Sequence, residues 1–150
     1  MSSDEFYHFG FPNSERDKFK HHSEETTEYN CIAFALEIQD KWIDPETQDP
    51  LDGTKPWWPD KIPRDRTLST FIKLFELYGF QKCLDKNLEE DYVRIAIFVR
   101  GDKVAHAARQ IGNGMWVSKL GNGVDCIHSL SAIHNGMYGV VRQFMKKKKS

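Results

Sequence analysis

The fold depends first on residues 93–110, which read VRIAIFVRGDKVAHAARQ. The first seven of these residues are nearly all apolar and rich in β-branched side chains, which predicts a central strand covered on both faces. Gly101 and Asp102 supply a tight turn, and a second strand follows that carries His106. The stretch therefore predicts the centre of an antiparallel sheet.

Two helices are predicted ahead of this sheet. The first is capped by Thr27 or Asn30 and ends near residues 40–42. The second has Thr67 as its N-cap, an apolar stripe along one side, and Gly79 as its C-terminal stop. Further strands are predicted at 80–84, 115–120, 125–128 and 138–144. The sequence thus predicts an α+β fold in which N-terminal helices pack on an antiparallel meander sheet.

Length and composition restrict the class of protein. A chain of 150 residues favours a single domain, which we divide into an arm over 1–27, a core over 28–144 and a basic tail over 145–150. A net charge of -1 argues against a dedicated nucleic-acid binder. Apolar runs are shorter than the roughly 18 residues of a membrane span, and the polar start is unlike a secretory signal.

The three cysteines fit neither a disulfide framework nor the spacing of a zinc site. We therefore expect a cytoplasmic protein with reduced thiols and without a metal or cofactor. Because of the net charge and the short apolar runs, we expect neither nucleic acid nor a membrane as a partner. Export as an effector without a cleaved signal is compatible with the same sequence.

Cys31 lies at the predicted start of the first helix, where the helix dipole favours a thiolate. Cysteine catalysis also needs an imidazole that moves protons and a third group that orients it. His106, on its predicted strand, can supply the imidazole as general base and then acid. The structural alternatives are a buried apolar thiol for Cys31 and a satisfied core histidine for His106.

The register of the second hairpin identifies a candidate for the third group, which orients the imidazole. If residues 112–114 form a three-residue loop, Ile111 pairs with Met115 and Ser118 lies on the same sheet face as His106. A two-residue loop would put Ser118 on the opposite face. In that case His128 or Asp125 is the alternative orienting residue.

Four other residues are candidates for substrate contacts. Asn30 can donate to an oxyanion or simply cap the helix. Trp57 and Trp58 lie in a proline-rich segment at 43–66, which suits a lid, and they either line a substrate groove or pin that segment to the core. Arg109 can recognise an acidic substrate or form a surface ion pair.

Five motifs together resemble an uncharacterised bacterial family of papain-like, NlpC-type cysteine hydrolase-like domains. They are Tyr-Asn-Cys-Ile-Ala at 29–33, Trp-Trp-Pro at 57–59, His-Ala-Ala-Arg-Gln at 106–110, Trp-x-Ser-Lys-Leu-Gly at 116–121 and Asp-x-Ile-His at 125–128. The resemblance implies a papain-like fold with Cys31 and His106 as the catalytic pair. It also implies a polar orienting residue 12 positions after the histidine, which is Ser118 in place of the usual histidine.

Three functions fit these observations. The first is a cysteine hydrolase or amidase that acts on an amide or isopeptide bond of a peptide or protein through Cys31, His106 and Ser118. The second is an acyltransferase or deamidase-type toxin with the same pair of residues, whose partner would include a cognate inhibitor or immunity protein. The third is a non-catalytic binding module that uses Trp57, Trp58 and the groove around His106.

Overall fold

The structure, a computed structural model, consists mainly of antiparallel strands. It describes residues 20–23, 30–38, 41–45, 56–87, 89–111, 115–119, 125–133, 136 and 138–149. The strands are Lys20–Ser23 (β1), Trp42–Ile43 (β2), Pro56–Trp57 (β3), Gln81–Cys83 (β4), Tyr92–Arg100 (β5), Lys103–Gln110 (β6), Trp116–Lys119 (β7), Asp125–His128 (β8) and Val140–Lys148 (β9). The helices are Cys31–Ala35 (α1), Leu68–Leu77 (α2) and Leu130–Ile133 (α3).

Among the described residues, seven strands form the main sheet in the order β1-β8-β7-β6-β5-β9-β4, and every neighbouring pair is antiparallel. The predicted meander from β5 to β8 is confirmed. β9 returns beside β5, so the segment predicted as a basic tail from residue 145 belongs to this strand through Lys148. β2 and β3 pair in parallel as a separate small sheet.

The sheet separates two apolar layers. The first core lies under α1 and α2 and includes Phe71, Phe75, Ile95, Ile97, Ala107 and Val117. The second core lies on the opposite face, beside α3, and consists of Ala96, Phe98, Ala108, Trp116 and Ile133. Because successive side chains of a strand point to opposite faces, β5 contributes to both cores, which confirms it as a central strand covered on both faces.

The second predicted helix is confirmed. α2 begins after Thr67, whose hydroxyl accepts from the Thr70 N–H, and it is followed by Gly79 with a φ of 96°. A left-handed residue at that position closes the helix, and glycine adopts it without steric cost. The helices of the described chain are all too short to cross a membrane.

The predicted papain-like α+β arrangement is wrong. The chain is mostly antiparallel β-sheet, and the helix expected to reach residues 40–42 ends at Ala35 after five residues. It ends there because Glu37 adopts a φ of 62°, while the Glu37 and Ile38 N–H groups donate to the carbonyls of Phe34 and Ala33. This Schellman closure reverses the chain direction, so the helix does not continue beyond Ala35.

Candidate functional site

Asn30 fixes the start of α1 and the loop beside it. Its side-chain oxygen accepts from the N–H groups of Ala33 at 3.1 Å and Ile43 at 3.2 Å, and its amide nitrogen donates to the Ile43 carbonyl at 2.7 Å. The side chain is buried, and its amide is engaged by the protein. Asn30 therefore acts as a helix cap and a tether, rather than as the oxyanion donor considered from sequence.

Cys31 is the first residue of α1 and packs, half-buried, against the first core. Burial raises the pKa of its thiol to about 11. The Ala107 backbone N–H and the nearby Arg66 guanidinium favour the thiolate, but they do not offset the loss of solvation, and Asp44 opposes them. Arg66 and Asp44 pair with each other at 3.0 Å. The thiol is therefore protonated at neutral pH.

His106 lies on the other side of the sheet. Its ring stacks on Tyr138 with centroids 4.0 Å apart and meets Phe98 edge-on at 5.6 Å, both of which belong to the second-core face. The imidazole is fully buried, and neither ring nitrogen has a hydrogen-bond partner among the residues that the structure describes. Burial, with a smaller contribution from His128, holds its pKa well below the usual range.

The structure does not bring the predicted catalytic pair together. α1 packs on β6 and β7 from the first-core side, so Cys31 meets β6 at Ala107. His106, one residue earlier on the same strand, points away from it because side chains alternate along a strand. The predicted contact between Cys31 and His106 is therefore wrong for this conformation, although each residue lies on the element expected.

Ser118 has the hairpin register that a three-residue loop predicts, but its hydrogen-bond partner is His128 and not the predicted His106. Arg109 pairs with Val117 and the Ile111 N–H donates to the Met115 carbonyl at 2.9 Å, so Ser118 is on the face of His106. The residues of the loop itself, 112–114, lie outside the described chain.

The Ser118 side chain is within 2.6 Å of Nε2 of His128, the residue considered as the alternative orienting group. The Ser129 carbonyl lies 2.7 Å from Nδ1 of the same ring. Nδ1–H must donate to this carbonyl, so Nε2 accepts from the Ser118 hydroxyl. Both side chains are fully buried, and burial lowers the pKa of His128 to about 4. Asp125 begins β8, and its side chain lies outside the described chain.

The two tryptophans hold the proline-rich segment in place. Trp58 is buried, its indole N–H donates to the carbonyls of Ile62 and Pro63 at 3.1 Å each, and its ring packs edge-on against Phe71. Trp57 is half-buried in β3, with the Lys41 ammonium 4.2 Å from its ring centroid. These contacts match the alternative in which the tryptophans pin the segment to the core. Residues 46–55 of the expected lid lie outside the described chain.

A groove that sequence reasoning missed lies where α1 ends beside β5, β6 and β9. It consists of two adjoining cavities of about 280 and about 390 Å³ that share Glu37, Val93 and Lys149. Its apolar lining residues are Ala35, Leu36, Phe80, Val93 and Ile111, with Tyr92 beside them. Its charged lining residues are Lys147, Lys148, Lys149, Arg109, Glu37 and Glu90. Considered alone, the lysines at 146–149 indicate a solvated tail and give no sign of a groove.

Arg109 is the best-anchored of these cations. Its Nη1 donates to the Phe34 carbonyl at 3.0 Å, and its guanidinium lies 4.9 Å from the Phe34 ring centroid. The Glu37 carboxylate is 3.6 Å away. Glu37 holds the left-handed position of the helix end, where glycine is usual, and this costs about 1 kcal/mol for a residue with a side chain.

The described residues include no group of three or more His, Cys, Asp or Glu side chains that could hold a metal ion. A comparison with known families matches residues 20–146 to a domain of unknown function, DUF7689. No curated protein and no solved structure matches the chain. The family match runs from the start of β1 into β9 and covers most of the sequence, so the chain belongs to the DUF7689 family.

Proposed function

We propose that this protein is a binding module for acidic peptide segments, and that the ligand lies in the groove at the end of α1. The observation that carries the proposal is a surface of cations beside apolar side chains. Lys147, Lys148 and Lys149 are exposed, and none of them forms an ion pair within the described residues. Unpaired cations in a concave surface attract anionic partners and increase their association rate.

Charge and apolarity together favour a peptide over other anions. Four cationic and two acidic side chains line the groove, although the whole chain carries a net charge of -1. The apolar residues between them, such as Leu36 and Val93, favour a ligand with alternating acidic and apolar side chains. A dedicated nucleic-acid surface would show a larger basic excess. The cytoplasmic location inferred from the cysteine count belongs to the same proposal.

A cysteine hydrolase or transferase is the second candidate. It would need Cys31 and His106 to reach the same face of β6, together with a lowered pKa of the Cys31 thiol. One observation favours such a rearrangement, namely the two unpartnered ring nitrogens of His106. A buried imidazole without partners costs free energy that a new contact would recover. The acyltransferase or toxin variant, with its inhibitor protein, depends on the same rearrangement.

Fluorescence anisotropy tests the first candidate. A labelled peptide of alternating Glu and Leu should bind the wild type, and a matched Lys–Leu peptide should not. Lys147→Gln combined with Lys149→Gln should weaken binding about tenfold, because two exposed charge pairs are lost. Raising the salt concentration should weaken the wild-type complex as well.

The matched control is Lys73→Gln combined with Lys103→Gln, which removes the same charge at exposed sites outside the groove. It should leave the affinity for the Glu–Leu peptide within about twofold of wild type. An equal loss in the control and groove variants would contradict a groove site. Tighter binding of a single-stranded oligonucleotide than of the peptide would contradict the ligand class. Binding should survive Cys31→Ala, whereas cleavage of the peptide that Cys31→Ala abolishes would favour the hydrolase.

A further inference from the structure

Arg109 differs from the lysines of the groove because the protein holds its guanidinium in place. The contacts with the Phe34 carbonyl and ring restrain the group, and the side chain is only 19% exposed. A planar guanidinium suits a carboxylate, and a pre-ordered one loses less side-chain entropy when the pair forms. Partial removal from water strengthens the attraction.

The Glu37 carboxylate occupies the space beside this guanidinium without forming a close pair. The two groups are 3.6 Å apart, longer than the ~2.8 Å of a direct charge-assisted hydrogen bond. The Glu37 side chain is 65% exposed. Exposed ion pairs of this kind are weak, so an incoming carboxylate can replace Glu37 at little cost.

The backbone of Glu37 gives an independent reason to regard the residue as functional. It adopts a φ of 62° at the closing position of α1, where glycine would be unstrained. Residues that keep a strained conformation tend to occur at functional sites. The strain here keeps a carboxylate on the boundary shared by both cavities of the groove.

We infer that Arg109 is the carboxylate-recognition subsite of the groove, and that Glu37 occupies this subsite as an internal substitute until a ligand carboxylate displaces it. The inference rests on the proposed function, and it adds the chemical group that is recognised and a competitor built into the fold. Its consequence is that the resting protein lowers its own affinity for acidic ligands.

The test uses the full chain, the Glu–Leu peptide and a neutral Gln–Leu peptide of the same length. Glu37→Gln keeps the size of the side chain and removes its charge, so it should tighten binding of the Glu–Leu peptide roughly threefold. Binding of the Gln–Leu peptide should not change. Glu37→Gly should tighten binding of the Glu–Leu peptide by at least as much. Arg109→Gln should weaken binding of the same peptide about tenfold, and adding Glu37→Gln to it should give no gain.

Glu76→Gln is the control, because it removes one exposed carboxylate from α2, outside the groove. It should change the affinity for the Glu–Leu peptide by less than about 1.5-fold. An unchanged affinity in Glu37→Gln, or an equal gain for the neutral peptide, would overturn the inference while leaving the peptide-binding function intact. Failure of the wild type and every variant to bind the acidic peptide would overturn the proposed function itself. The two-peptide comparison stays decisive even if Arg109→Gln does not fold.

Discussion

Lowering the pH from 7 to 5 should destabilise the protein through two buried histidines. Burial holds the pKa of His106 well below its usual range and that of His128 at about 4. In the unfolded chain an imidazole has a pKa of about 6.5. Between these values the unfolded state binds protons that the folded state does not. The contribution to stability is therefore fully present above about pH 6.5 and is lost as the pH falls towards the folded-state pKa values.

The magnitude follows from proton linkage. Each proton bound only by the unfolded state changes the free energy of unfolding by about 1.4 kcal/mol per pH unit. An unfolded histidine is about one quarter protonated at pH 7 and almost fully protonated at pH 5, so each residue accounts for about 2 kcal/mol. His106 and His128 together should therefore remove about 4 kcal/mol. This is a large part of the roughly 5–15 kcal/mol that stabilises a typical domain.

Urea unfolding of the wild type and of His106→Phe at both pH values measures this effect. Phenylalanine can keep the stacking on Tyr138 but cannot titrate, so the variant should lose only about 2 kcal/mol on acidification. Thr67→Ala is the control, because it removes an exposed helix cap, costs about 1 kcal/mol at each pH, and should retain the full pH dependence. If His106→Phe lost as much stability as the wild type between pH 7 and 5, a buried neutral His106 would be excluded.

Three further predictions concern the backbone and the thiol. Gly139→Ala should cost at least about 3 kcal/mol in urea unfolding, because the new Cβ would lie 2.1 Å from a backbone oxygen at a φ of 80°. Gly101→Ala, with a φ of 65° and open space, should cost only about 1 kcal/mol, and equal costs would contradict the packing argument. Asn30→Ala should cost about 3 kcal/mol, because a helix cap is lost and the Ile43 N–H and carbonyl are left unpaired; a loss below about 1 kcal/mol would contradict this. Alkylation of Cys31 at pH 7.5 should be at least about 100-fold slower than that of an unstructured cysteine peptide, because a pKa of about 11 leaves very little thiolate. Site-resolved mass spectrometry measures the two rates, and comparable rates would contradict a thiol that is shielded from water.

Local patterns in the sequence were sufficient for β4 to β8, for the first part of β9 and for one helix, but β1, β2 and β3 were not predicted. The apolar run at 93–99 predicts β5 because a strand buried on both faces needs apolar residues at every position. Thr67 and Gly79 predict the ends of α2 because a cap hydroxyl and a left-handed glycine act within a few residues. The register that puts Ser118 on the face of His106 likewise follows from the geometry of one hairpin.

The sequence could not show that Cys31 and His106 lie on opposite faces of the sheet, because this depends on two features of the fold. Phe98 pairs with His106 while Val99 pairs with Val104, so a bulge interrupts the alternation of β6 just before the histidine. α1 then packs on the face that carries Ala107. A sequence pattern gives the alternation along a strand, but it does not show which face a distant helix covers.

The groove was unpredictable for a related reason. Its lysines read as a solvated tail when residues 145–149 are considered alone. They become one wall of a cavity only because β9 returns beside β5 and brings Lys149 next to Val93 and Glu37. Glu37 itself could not be identified, because its left-handed conformation depends on how the chain leaves α1.

An NMR titration with the Glu–Leu peptide shows both where the peptide binds and whether it is cleaved. If the peptide binds in the groove of a non-catalytic protein, the largest changes in amide chemical shift fall on Glu37, Val93 and Lys149, and the peptide is recovered intact. Changes centred on Cys31 and Trp57, with cleavage of the peptide, would contradict a non-catalytic groove and would favour the cysteine hydrolase.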